Sequence, residues 1–179
     1  MLEKKKILRK IIKVRVSAIS AEEKAKREKL LLDNLFSMPE FLAANTVMLF
    51  ANLPDEIGTF SLIDKCIAMG KKVFLPVING DEMTACEFTG EYKIGKYGIK
   101  EPVTPNSSLL IPNSIDFILV PGVAFSPNGY RLGRGKGYYD KFLSKYSNLF
   151  TVGVCFREQF YLDIPTEPHD IPMQKVIVC

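Results

Sequence analysis

The chain has 179 residues, 47% of them hydrophobic and 25% charged, with a formal net charge of +4; this is the balance of a globular domain long enough to bury a proper core. No run approaches the roughly 18 apolar residues of a membrane span, no apolar leader opens the chain, and no linker or internal repeat divides it, so a single cytoplasmic domain over residues 1–179 is expected. Cys66, Cys86, Cys155 and Cys179 show neither zinc-like spacing nor a disulfide framework, which argues for a reducing compartment and for Cys66 and Cys155 as small core residues.

Residues 2–18 read as a basic amphipathic helix with Leu8, Ile11, Ile12 and Val14 on its apolar side. Ser20-Ala-Glu-Glu23 forms a capping box, which starts a second helix from about Ala21 to Phe36, with Pro39 marking its end. A strand is expected over residues 46–51, a helix over 60–69 closed by Gly70, and a strand over 72–78. That strand–helix–strand order implies parallel pairing. Residues 83–88 read as a further strand, possible in antiparallel pairing, and residues 90–114 as loop. The apolar run 115–120 is a strand buried on both faces. A helix over 138–146 and strands over 150–156 and 175–178 complete an α/β fold, a three-layer α/β/α sheet domain preceded by two helices.

The segment richest in chemistry is Arg131-Leu-Gly133-Arg134-Gly135-Lys136-Gly137-Tyr138-Tyr139-Asp140. It follows a buried strand and opens a helix, the edge at which open α/β sheets bind ligands. Alternating glycines let the backbone approach an anion, the helix start adds a positive dipole end, and Arg131, Arg134 and Lys136 bring fixed cations that call for a compensating ligand. It is neither a Walker A loop, since Lys136 precedes Gly137, nor a dinucleotide fingerprint. Lys and Arg also concentrate in the first 29 residues, which suits a polyphosphate if the two clusters meet in space. The run Lys4–Lys10 is otherwise a solvated helix face or a nucleic-acid or membrane patch.

Asp140 is either a carboxylate favoured by the helix dipole or a Mg²⁺ ligand; Asp170, ahead of a Pro two residues on, is either a turn residue or a second ligand. Asp55 and Glu56, just past the first strand, are either loop acids or site residues. His169, the one histidine, rules out a His-rich metal site and reads as a buried or turn residue.

Together these segments resemble the 5-formyltetrahydrofolate cyclo-ligase, or methenyltetrahydrofolate synthetase, family. The resemblance covers nearly the whole chain. It runs through Lys5 and Arg9 in K-x-x-x-R, Pro54-Asp-Glu-Ile, Tyr97-Gly-Ile-Lys-Glu-Pro102, Ile115-Asp-Phe-Ile-Leu-Val-Pro-Gly, the glycine-rich decapeptide, Glu158-Gln159 and His169-Asp-Ile-Pro172. It implies a Rossmann-like fold and the ATP-dependent closure of 5-formyltetrahydrofolate to 5,10-methenyltetrahydrofolate with Mg²⁺. It also implies that Lys5, Arg9, Arg131 and Gly133 through Tyr139 contact ATP, with Arg134 and Lys136 catalytic. Ala51, Glu56 and Tyr138 would contact folate, and Asp140 and Asp170 the metal. Tyr97 falls near the pterin pocket. A monomer acting on ATP and folate, with no nucleic-acid or membrane partner, is the expectation. A small nucleic-acid-binding protein and a sugar-phosphate isomerase or CoA-transferase-like enzyme are the rivals weighed against it.

Overall fold

Hydrophobic spacing builds a six-stranded sheet that is covered on both faces. The structure, a computed structural model, describes residues 2–95, 98, 100–103, 115–146 and 149–179. Tyr97 and the loop 104–114 lie outside the described residues.

Helix α1 spans Leu2–Ser17. Its inward stripe is Lys5, Leu8, Ile12 and Val16, which a 3.6-residue period keeps on one face. The apolar side expected from the sequence is therefore corrected: Ile11 is 43% and Val14 69% exposed, because Val14 lies half a turn away from that stripe. Helix α2, Ala21–Leu35, starts as expected, with the Ser20 hydroxyl accepting from the Glu23 amide at 3.2 Å. Glu23 turns its carboxylate to Arg27 Nε at 2.9 Å, so the Ser20 half of the capping box is the half that forms among the described residues. Pro39 opens helix α3, Pro39–Ala43, where its missing N–H costs nothing.

Strand β1 covers Thr46–Met48, shorter than the run expected. Helix α4, Phe60–Ala68, buries Leu62, Ile63 and Cys66 and is followed by Gly70 at φ 77°. Strand β2, Lys72–Asn79, returns parallel to β1, and β3, Glu82–Glu87, pairs antiparallel with β2. The loop-like stretch that follows contains a small antiparallel pair, β4 (Tyr92–Ile94) and β5 (Lys100–Pro102). Strand β6, Phe117–Pro121, runs parallel beside β1, and the Asp116 carboxylate accepts from the Asn45 and Thr46 amides at 2.9 Å each to set that pairing.

A two-residue pair unforeseen in the sequence, β7 (Ala124–Phe125) and β8 (Arg131–Leu132), then leads into helix α5, Tyr138–Leu143. That helix is shorter than the 138–146 span expected. Strands β9 (Phe150–Cys155) and β10 (Lys175–Val178) finish the sheet in the order β10-β9-β6-β1-β2-β3. All neighbours are parallel except β2 and β3.

Alternation along the central strands divides the core in two. Val47, Leu49, Phe117 and Leu119 point to a core shared with Ile12, Leu31, Leu35, Phe41 and Leu62 of α1–α4. Met48, Ile118 and Val120 point to a second, shared with Phe125, Phe142 and Leu143, the last two from α5. The fold is α/β with helices on both faces; among the described residues α1–α4 cover one and α5 the other.

Candidate functional site

β1 lies between β2 and β6, so the chain leaves β1 toward one side of the sheet and returns later on the other. The carboxyl ends of β1 and β6 therefore flank a topological switch point, where the crossing connections part and leave a crevice. A cavity of about 930 Å³ occupies it. Phe50, Ala51 and Glu56 line it from beyond β1, Pro121 and Gly122 from the end of β6, and Gly133 through Asp140 from the glycine-rich loop. Lys5 and Arg9 of α1 line the same cavity.

The loop is held from both ends. Val123 N donates to Leu132 O at 2.8 Å, fixing the turn after β6 against β8. Gln159, 4% exposed, donates from Nε2 to the Gly122 and Val123 carbonyls at 3.1 Å each and accepts from Phe156 N at 2.9 Å. Its amide is thereby a brace under the loop's entry. Gly135 (φ 106°) and Gly137 (φ 67°) adopt backbone angles that a side chain would strain, so the two glycines shape the bend from β8 into α5. From α1, Arg9 Nε donates to Gly133 O at 2.8 Å.

Cations and carboxylates of this site neutralise each other. Arg131, 7% exposed, donates to Asp140 Oδ2 at 2.8 Å and lies 5.4 Å from the Tyr139 ring centre. Arg134 donates to Asp55 Oδ1 at 2.7 Å and Glu56 Oε1 at 2.9 Å. Among the described residues Lys136 makes no ion pair, and it is exposed. Two of the three loop cations thus have internal carboxylate partners, so the loop does not demand an external anion for all three, as its composition suggests.

Lys5, buried on α1, donates to Glu167 Oε2 and Asp170 Oδ2, both at 2.9 Å. Burial alone would lower the Lys5 ammonium, yet the two carboxylates outweigh it and its pKa is raised. For Asp170 burial works upward, and Lys5 with the Glu167 amide outweighs it, leaving its carboxyl below its ordinary value. Glu56 goes the other way: burial dominates Arg134 and the Leu53 amide, and its carboxyl is raised. Burial also pushes the Tyr139 phenol up, so it stays a neutral hydroxyl.

Asp140 and Asp170 come from distant segments that meet here, since Asp140 Oδ1 faces the Ile171 amide at 3.5 Å. The acidic group around Asp170 is larger than the sequence suggested. Glu167, His169 and Asp170 each offer a ligand atom within 4.8 Å of one another. Hard carboxylate oxygens beside a cavity are the donor type Mg²⁺ takes, so the residues fit that ion. His169 sits in a turn, one of the two places expected for it, and lines the cavity with its side chain 72% exposed. Tyr138 and Tyr139 open α5 and line the cavity with Ala51 and Glu56.

Sequence reasoning passed over three residues of the site. Glu167 sits two residues before His169, close enough to be considered with it. Gln159 shows no role in the sequence, because its partners are backbone carbonyls that no spacing shows. Glu101, on β5, was hidden in a stretch read as loop.

Comparison with known proteins gives the family of the chain. Residues 1–179 match the profile of the 5-formyltetrahydrofolate cyclo-ligase family. The chain is 34% identical over 158 residues to the probable 5-formyltetrahydrofolate cyclo-ligase of Schizosaccharomyces pombe, covering 78% of each chain. It is 31% identical to the probable 5-formyltetrahydrofolate cyclo-ligase of Caenorhabditis elegans, covering 98% of this chain and 92% of that one. The solved structure of the Aquifex aeolicus 5,10-methenyltetrahydrofolate synthetase superposes with a TM-score of 0.86 at 33% identity, over 97% of this chain and 89% of that one. The chain belongs to the 5-formyltetrahydrofolate cyclo-ligase family.

Proposed function

We propose that this chain closes 5-formyltetrahydrofolate to 5,10-methenyltetrahydrofolate at the expense of ATP, releasing ADP and phosphate. One observation carries the reading furthest. Two cationic elements far apart in sequence, Lys5 and Arg9 of α1 and the loop Arg131–Lys136, line a single cavity of about 930 Å³ at the sheet's switch point. That volume lies at the upper end of ordinary ligand pockets, roughly 300–1,000 Å³, which suits two substrates held together. Family membership separates this reading from the nucleic-acid and sugar-phosphate rivals, which fold analogy alone could not do.

The chemistry follows from what the residues offer. A formamide oxygen is a weak nucleophile, so it must be aligned with the γ-phosphorus and the phosphoryl charge neutralised. Arg134 and Lys136 supply cations on the glycine-rich loop, and its amides add donors. Asp140 and Asp170, with Glu167 beside Asp170, would hold Mg²⁺, which would balance phosphate charge when bound. The formyl oxygen bonds to phosphorus as ADP leaves, making the formyl carbon electrophilic. N10 of the folate, losing its proton, bonds to that carbon, and the C–O bond breaks to release phosphate. Ala51, Glu56 and Tyr138 orient the folate, while Lys5, Arg9 and Gly133 through Tyr139 hold the nucleotide. The cytoplasm and a monomeric state complete the proposal; none of the described helices is long and apolar enough to cross a membrane.

Purified protein given 5-formyltetrahydrofolate should form methenyl-folate with MgATP and none without it. Product in the absence of ATP, or none in its presence, would remove the reading.

A further inference from the structure

Both oxygens of Glu56 are engaged within the protein. Oε1 accepts from Arg134 at 2.9 Å and Oε2 from the Leu53 amide at 2.9 Å. A second carboxylate lines the same cavity. Glu101 is 5% exposed, and among the described residues it makes no hydrogen bond and no ion pair.

Its position is set by the β4–β5 pair, in which Glu101 lies opposite Lys93. A Cβ on Gly95 would overlap the Glu101 carboxylate, so the absence of a side chain there makes its room. Neither neighbouring cation pairs with it among the described residues: the exposed Lys93 makes no ion pair, and Lys100 Nζ lies over the Phe60 and Tyr92 rings, 4.6 and 5.5 Å from their centres. Strand alternation turns Glu101 to the opposite side.

An ionised carboxylate buried without a partner is unfavourable, and it offers acceptors only. Its complement is a pair of parallel N–H donors on a planar ring. Pro76, Ile78 and Met83 give the same cavity apolar wall that suits such a ring. The 2-amino-4-oxopyrimidine ring of a reduced folate carries this edge, a ring N–H beside an amino group. Adenine sets a donor beside an acceptor and mismatches a carboxylate, so Glu101 would also sort the two substrates to their own ends of the cavity.

We infer that Glu101 is a substrate-recognition residue that accepts two hydrogen bonds from the amino-pyrimidinone edge of the folate. This rests on the folate reading proposed above.

The test compares 5-formyltetrahydrofolate with its 2-desamino analogue on the wild type and on Glu101→Gln. In the wild type, loss of the amino group raises the folate KM roughly 10- to 100-fold, the range for a hydrogen bond to a charged group. Glu101→Gln raises the KM for the parent folate into the same range, leaves the KM for ATP unchanged and abolishes discrimination between the two folates. Its thermal midpoint is no lower than that of the wild type, because no hydrogen bond or ion pair among the described residues is lost. Equal KM values for the two folates in the wild type, or an unchanged folate KM in a folded Glu101→Gln, would overturn the inference. Calorimetric binding of the two folates without ATP reads Glu101 separately from catalysis. A wild type that binds the parent at least tenfold tighter yet closes neither folate with MgATP would sink the proposed reaction and keep this recognition.

Discussion

Arg134 joins the two halves of the cavity: its Nη2 lies 2.9 Å from Glu56 Oε1 beyond β1, while its backbone belongs to the glycine-rich loop beyond β6. The Glu56 side chain is 10% exposed and that of Arg134 46%, so the pair is wet on one side and dry on the other. Removing Arg134 strands a buried carboxylate, whereas removing both partners does not. In a double-mutant cycle, Arg134→Ala and Glu56→Gln should couple by about 1 kcal/mol in thermal or denaturant unfolding, a value reduced for the exposure of the arginine. Additive losses would mean that the contact contributes nothing. In kinetics the two should differ. Arg134→Ala should lower kcat roughly 10²–10³-fold, as loss of a group acting on transition-state charge does, while Glu56→Gln should act mainly on the KM for folate.

Lys5 is the link between α1 and the acidic group at Glu167 and Asp170. Lys5→Ala leaves two neighbouring carboxylates without their cation. It should cost about 3 kcal/mol of stability, the scale of a broken buried pair, and raise the KM for ATP far more than that for folate. Unchanged ATP dependence in a folded Lys5→Ala would show that α1 serves only the fold.

Asp140→Asn and Asp170→Asn should each raise the Mg²⁺ concentration needed for half-maximal activity while leaving the far-ultraviolet circular dichroism unchanged. A titration of Asp170→Asn that overlays the wild type would take this residue out of the proposed metal site.

The pair Arg27–Glu158 ties α2 to the turn after β9, with contacts of 2.5 and 3.1 Å. The Arg27 hydrogen bond, chiefly, holds Glu158 below its ordinary 4.5 in the fold. A carboxylate with a depressed folded-state pKa adds stability that is full above its unfolded value and is lost as pH falls through the folded one. Glu158→Gln should therefore lower stability at neutral pH and flatten its decline as the pH falls below the ordinary carboxylate value. An equally steep acid decline in Glu158→Gln would place the acid sensitivity elsewhere, with Asp170 next.

Much of this was legible because it is local. The Ser20 cap, the strand–helix–strand pattern of residues 46–78 and the glycine-rich decapeptide each report their structure through near neighbours in sequence. The inner stripe of α1 was misread because the dominant signal in an apolar pattern is the apolar residue, whereas here Lys5 takes an inward position and Val14 an outward one. Lys5 is inside only because Glu167 and Asp170 meet it from the far end of the chain. The same holds for the loop: its charge count suggested an external anion, and long-range contacts from Asp55 and Glu56 supply part of the compensation. Strand order, Gln159 beneath Gly122 and Glu101 at the cavity wall are products of topology, which no spacing in the sequence encodes.

If the formyl oxygen takes the γ-phosphoryl group before the ring closes, that oxygen must leave in the released phosphate. With the formyl oxygen labelled as ¹⁸O, mass spectrometry of the released inorganic phosphate should find the label there, one atom for each methenyl-folate formed. Label recovered in water, with methenyl product still accumulating and phosphate unlabelled, would contradict the phosphorylated intermediate.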